Sequence, residues 1–124
     1  MAYAVATAAA SDSLIAAVKL RLLEGATQTA PEIMAADECA LPADSNPKSP
    51  KEFRDRYPNG LAIVCDESVH GHAATAQVQV YLFNASRNEV LMARKIDVGL
   101  VSRGGKWSVG KWRPTSFDYA PVLP

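Results

Sequence analysis

Residues 73–113, AATAQVQVYLFNASRNEVLMARKIDVGLVSRGGKWSVGKWR, decide the fold. Ala74, Ala76, Val78, Val80 and Leu82 alternate with Thr75, Gln77, Gln79, Tyr81 and Phe83. A period of two over ten residues predicts a pleated strand with one drier face. The polar run 84–89 reads as a turn. Val90, Met92, Arg94, Ile96, Val98 and Leu100 then alternate again, and as a helix the same apolar residues would scatter around the whole wheel. A second strand is therefore expected, with these six side chains on one face. Ser102-Arg103-Gly104-Gly105 is a hairpin signal, because glycines reach positive φ at little cost. Lys106 to Arg113 returns as the last strand, which Pro114 stops.

Upstream, residues 12–24 predict an amphipathic helix, with Leu14, Ile15, Val18, Leu22 and Leu23 at helical spacing. Ser11 or Asp12 can cap it, Gly25 can end it, and the alanine-rich stretch from Ala4 to Ala10 can extend it. Residues 26–48, with Pro31, Pro42 and Pro47, form a long connecting arm, inside which 32–40 could make a short helix. Ser49-Pro50-Lys51-Glu52 is a helix start: a capping serine, proline at the first helical position, and glutamate three residues on. This helix spans 49–57, and Asn59-Gly60 turns the chain into a strand from Leu61 to Val69. The fold class is therefore α+β in one domain. A first helix and a short second one pack on a curved four-stranded antiparallel meander over 61–113, and an apolar tail follows over 114–124.

Of the 124 residues, 48% are hydrophobic and 21% charged, an ordinary globular composition large enough for one core. No run of about 18 apolar residues occurs, so membrane insertion is not expected. The small-residue N-terminus lacks a basic segment and reads as a helix start rather than a secretion signal. Two cysteines, Cys39 and Cys65, are too few for a disulfide framework. Two free buried thiols are the first expectation and a single bridge the alternative. The cytoplasm or a virion follows as the expected location. Asn84-Ala85-Ser86 fits the glycosylation pattern, but nothing else points to secretion.

Net charge is zero but unevenly spread. Residues 1–47 carry two basic and six acidic residues, whereas residues 87–113 carry seven basic and two acidic ones. The two parts can neutralise each other within one fold. Alternatively, the basic sheet of one subunit can meet the acidic front of another, head to tail. A pI of about 6.7 and no basic aromatic platform argue against nucleic acid.

Catalytic vocabulary is sparse. Phosphate loop, nucleophile elbow and paired Cys-x-x-Cys are all missing, and no cofactor is implied. His70 and His72 could share a strand face as metal ligands, but Gly71 between them reads better as a hairpin turn. Leu61, Ile63, Cys65, Glu67 and Val69 form one strand face, and Arg94 interrupts the apolar stripe of another. Glu67 and Arg94 could pair in a concavity as an acid/base site, or be a structural ion pair. Trp107 and Trp112, five apart, are expected on opposite faces, one in the core and one an interface anchor. Lys106, Lys111 and Arg113 around Trp112 suit an acidic partner. Phe117 and Tyr119 make the tail too apolar to be solvated, so it packs on its own domain or on a neighbour.

The meander, Arg94 in mid-strand and the closing Gly105-Lys106-Trp107-Ser108-Val109 with Trp112 give residues 49–113 a resemblance to the nuclear transport factor two-like superfamily. That resemblance implies a cone-shaped α+β fold and, through the superfamily's isomerases and dehydratases, a pocket enzyme around Glu67 and Arg94. The usual pair of long packed helices is not evident in the first half. The leading helix, the Pro58-Asn59-Gly60 strand entry and Gln77-Val78-Gln79-Val80-Tyr81 are also similar to small phage tail-terminator and neck proteins, in which 87–101 would be a helix. A likeness to type IV secretion scaffold domains lacks their membrane anchor. The first expectation is a non-enzymatic assembly or protein-binding module, self-associating or part of a larger complex. A small-molecule binder or isomerase-like enzyme is the alternative.

Overall fold

The alternation at 74–80 becomes strand β3 (Ala73–Asn84), at the centre of a six-stranded sheet. The computed structural model describes residues 2–24, 31–36, 38–40, 49–118 and 120–123, with side chains for all of these except 2–11 and Leu123. Helix α1 (Ala2–Leu23) comes first, then strand β1 (Glu32–Ala35), helix α2 (Pro50–Arg56) and strand β2 (Leu61–His70). After β3 follow β4 (Glu89–Arg103), β5 (Lys106–Pro114) and β6 (Pro121–Leu123). The sheet order is β1-β2-β3-β4-β5, with β6 pairing β4. The protein is thus α+β, with two helices and a mostly antiparallel sheet larger than a four-stranded meander.

Helix α1 reaches upstream to Ala2, as the alanine-rich extension allows. Helix α2 starts where its signal places it: Ser49 is the N-cap, its side chain accepts from the Glu52 N–H at 3.2 Å, and Pro50 stands in the first turn. Phe53 of α2 is fully buried, 5.2 Å from the Tyr57 ring. Gly60 then turns into β2 with φ +92°, and a Cβ there would stand 2.8 Å from the Tyr81 carbonyl oxygen, so glycine is required. The turn between β3 and β4 is held by Asn84, whose Oδ1 accepts from the Ser86 N–H.

The short helix expected over 32–40 is instead β1, parallel to β2 with Ile33 opposite Ala62 and Ala35 opposite Val64. Its neighbours divide between the two sides of the sheet, with Ile33 packed on the α1-side core and Met34 on the α2-side core. Only a strand sends adjacent residues to opposite layers. The remainder of the arm, 25–30, 37 and 41–48, lies outside the described residues. The tail returns as β6, with Pro121 opposite Leu91, so it packs on its own sheet.

The core has two layers. Leu14, Val18 and Leu22 of α1 pack on Val64, Val78, Val80, Ile96, Val98 and Leu100. On the other side Phe53 packs on Leu61, Ile63, Cys65, Tyr81 and Val90.

Three irregularities correct the expected faces, because one inserted residue reverses every side chain beyond it. Between β3 and β4, Val80 opposes Arg94 and Tyr81 opposes Met92, so Ala93 is extra. Val90 and Met92 therefore face the α2 side, while Ile96, Val98 and Leu100 face α1. In β2 the register slips between Cys65 and Ser68, where Asp66 has φ +56°. Val69, opposite Ala74, leaves the face shared by Leu61, Ile63 and Cys65. Between β4 and β5, Gly99 opposes Lys111 and Leu100 opposes Val109, so Gly110 is extra. Trp107, Val109 and Trp112 consequently all pack on the α1-side core, correcting the assignment of the two tryptophans to opposite faces.

The cysteines are bridged: Cys39–Cys65 is a disulfide across 26 residues, where two free thiols were the first expectation. Parallel pairing of β1 with β2 brings the segments together, and the Ala36 N–H donates to the Val64 carbonyl at 2.9 Å just before Cys39. No spacing rule in the sequence announces that pairing.

Two outcomes follow from this architecture. Closing a loop of 26 residues stabilises by about 3.5 kcal/mol in the chain-entropy account. Cys39→Ala is therefore expected to lower the urea midpoint by an equivalent amount, and reduction of the wild type should do the same. Deleting Gly110 removes the extra residue, so β5 alternates without a break and Trp112 keeps its place on the α1 side. In a Trp107→Phe background, tryptophan emission should therefore stay unshifted on that deletion, whereas Trp112→Ala should lower stability by about 3 kcal/mol.

Candidate interaction face of the sheet

The α2-side layer covers only one end of its face of the sheet, the end formed by 61–65, 81–83 and 90–92. Beyond it that face continues as Thr75 and Gln77 of β3, Lys95, Asp97, Gly99, Val101 and Arg103 of β4, and the outward residues of β5. The β5 bulge sets the last group. Trp107, Val109 and Trp112 point to α1, so Lys106, Ser108, Lys111 and Arg113 point the other way. Registers place Arg103 beside Lys106, Gly99 beside Lys111 and Asp97 beside Arg113. Five cations, Lys95, Arg103, Lys106, Lys111 and Arg113, thus stand on one face that no described element covers. All but Lys95 are exposed. Asp97 and the bulge residue Asp66 add negative charge there, and both line a shallow hollow with Thr75, Gln77, Gly99 and Lys111.

A polar chain bounds the face where the core begins. The Tyr81 hydroxyl donates to Gln79 Oε1, and Gln79 Nε2 donates to Gln77 Oε1 at 2.7 Å. Gln79 is 6% exposed, so these bonds supply the partners its amide would otherwise lack. Burial raises the pKa of the Tyr81 hydroxyl above its ordinary value of 10.0.

On the opposite side, the half-buried Trp112 ring lies under the Arg21 guanidinium, 5.1 Å from its centroid. Trp112 is therefore packed beneath α1, not displayed among the lysines. Phe117 is half-buried, and Tyr119 lies outside the described residues.

The structure does not bring Glu67 and Arg94 together. Arg94 is exposed opposite Val80, which in turn opposes Ala62, whereas Glu67 lies in the β2 bulge five residues further on. That is roughly 15 Å along the strands. His70 ends β2, with Ser68 Oγ and His70 Nε2 hydrogen-bonded at 2.7 Å, and His72 sits in the β2–β3 turn beside Gly71. Among the described residues no three His, Cys, Asp or Glu side chains group as metal ligands, and no helix is long and apolar enough to cross a membrane. Sequence reasoning placed Lys106, Lys111 and Arg113 around Trp112 and counted Lys95 and Arg103 in the basic excess of 87–113, without setting the five on one face. The signal was present in Gly110, a glycine inside a strand pattern, which often marks a bulge.

Tyr81→Phe is expected to cost about 1–3 kcal/mol by leaving buried Gln79 Oε1 without its donor. A raised folded pKa means that the unfolded chain loses the Tyr81 proton first. Wild-type stability therefore falls as pH rises through and above about 10. The Phe variant lacks that component, so urea titrations at pH 8 and pH 10.5 should bring the two proteins closer at the higher pH. No family model, no curated protein and no solved structure matches the chain.

Proposed function

We propose that the protein is a non-enzymatic assembly module that joins copies of itself, head to tail, through the basic half of its sheet. The observation that carries this reading is the alignment of Lys95, Arg103, Lys106, Lys111 and Arg113 on one uncovered face. Charge of one sign on an open face draws an oppositely charged surface and fixes its orientation. The chain itself supplies such a surface, because Glu32 is exposed in β1, at the opposite edge of the sheet from β5, and Glu38 is exposed three residues beyond that strand. A contact between two different patches is heterologous, so it builds rings or filaments rather than closed pairs. The phage tail-terminator version would need a helix over 87–101, where β4 runs, so the proposal is for assembly without that version. A pocket enzyme at Glu67 and Arg94 has no specific observation in its favour.

Native mass by light scattering tests the reading. At about 20 mM salt the protein should be oligomeric. At about 0.5 M, where the screening length is only a few ångströms, it should approach the monomer mass. Lys106→Glu combined with Lys111→Glu and Arg113→Glu should be monomeric already at low salt. A monomer under every condition, or an oligomer indifferent to both salt and charge reversal, overturns the proposal.

A further inference from the structure

We infer that the copies join by continuing the sheet: the outer edge of β5 in one copy pairs with the outer edge of β1 in the next. This deepens the head-to-tail reading and rests on it. Among the described residues, no strand pairs with either outer edge.

The available backbone groups follow from the register. The two-residue turn Gly104-Gly105, with φ +59° and +80°, closes on Arg103 and Lys106. These two are therefore a hydrogen-bonded pair, and residues in the next pair turn their N–H and C=O outward. Trp107 belongs to that next pair, and its N–H points away from β4, but it is spent on Ser13 Oγ of α1, 3.4 Å distant, and is not available to a second copy. Val109 follows with the same direction. Thr115, at the far end, donates its N–H to the Lys95 carbonyl at 2.8 Å; counting back from there turns Trp112 outward as well. On β1, the N–H groups of Glu32 and Ala36 are spent on Gly60 and Val64, so those of Ile33 and Ala35 face away from β2.

Side chains and direction agree with the same join. β1 is parallel to β2, and the strands from β2 to β5 alternate in direction, so β1 of the next copy meets β5 antiparallel. Glu32 opposes Leu61, whose side chain lies on the α2 side. In a continued sheet it stands on the same face as Lys111 and Arg113. Ile33 lies on the α1 side, where Val109 and the 67% exposed Leu20 border a groove between α1 and β5. Acid thus meets base on one face and apolar meets apolar on the other.

Light scattering at low salt on edge and charge variants tests the inference. Val109→Pro removes an outward N–H without touching the β4 ladder, and Ile33→Pro does so on the other edge. Each is expected to reduce the wild-type mass to the monomer while near-ultraviolet circular dichroism stays native. Either variant alone suffices if the other disturbs the fold. Glu32→Lys and Lys111→Glu should each weaken association, and combining them should restore it at least tenfold. If the proline variants keep the wild-type mass while charge reversal removes it, the basic face associates without the edges and this inference falls alone. A wild type that is monomeric at every salt overturns both the inference and the assembly reading.

Discussion

Side chains along a strand alternate with a period of two, so an odd insertion sends everything beyond it to the other face. Three such insertions, at Asp66, Ala93 and Gly110, decide what each face of this sheet carries. Ala93 lets β4 serve both cores, with Val90 in the α2-side layer and Ile96, Val98 and Leu100 in the α1-side layer. Gly110 keeps Trp107 and Trp112 together under α1 and gathers the β5 cations on the other side. With position 110 paired in a regular strand instead of bulged, one of these groups would have to yield: either a tryptophan would be solvated or a lysine would be driven toward the core. Burial of a large aromatic surface outweighs the conformational cost of one bulge.

The same asymmetry fixes where the molecule is closed and where it is open. Helix α1 lies along one side of the sheet and reaches both β5 and β1. On the other side a seven-residue helix and the disulfide-tethered segment cover only the end built from Leu61, Ile63, Tyr81 and Val90. Seven residues form barely two turns, too short to shield strands of 12 and 15 residues. The bridge from Cys39 to Cys65 compensates for the small contact area at that end by restricting the unfolded chain rather than by adding buried surface. The uncovered remainder is polar and basic, as a water-facing sheet surface must be.

Much of the fold was legible in local patterns. The cap at Ser49, the Gly104-Gly105 hairpin and the alternation in β3 are short-range signals, and each marks its element correctly. What escaped depends on distant partners. β1 is four residues whose strand character comes from β2, some thirty positions away. The disulfide follows from that pairing. The bulges at Asp66 and Ala93 carry no glycine, so nothing in the one-dimensional pattern says that the faces change there. Pairing Glu67 with Arg94 assumed unbroken alternation through both strands, but one slip parts Glu67 from Leu61, Ile63 and Cys65, and another parts Arg94 from Val90 and Met92. The cations suffered the opposite fate: they were visible as a charge excess over 87–113, yet their common face depends on Gly110.

Lysines, a terminal proline and a bulge on an edge strand also discourage unwanted strand pairing, and β5 has all three in Lys106, Lys111, Pro114 and Gly110. Such devices work against a neutral or like-charged strand, because its arrival would bury cations without compensation. They do not work against a strand that brings carboxylates to the same face. A merely protected edge has no use for apolar surface on its other side, yet Trp107, Val109 and Leu20 line the groove beside β5. Charge on one face and apolar surface on the other act together as a filter. On the proposed join, the edge refuses most strands and accepts one that sets an acid on one face and an apolar side chain on the other, as Glu32 and Ile33 do at the opposite end of the same sheet.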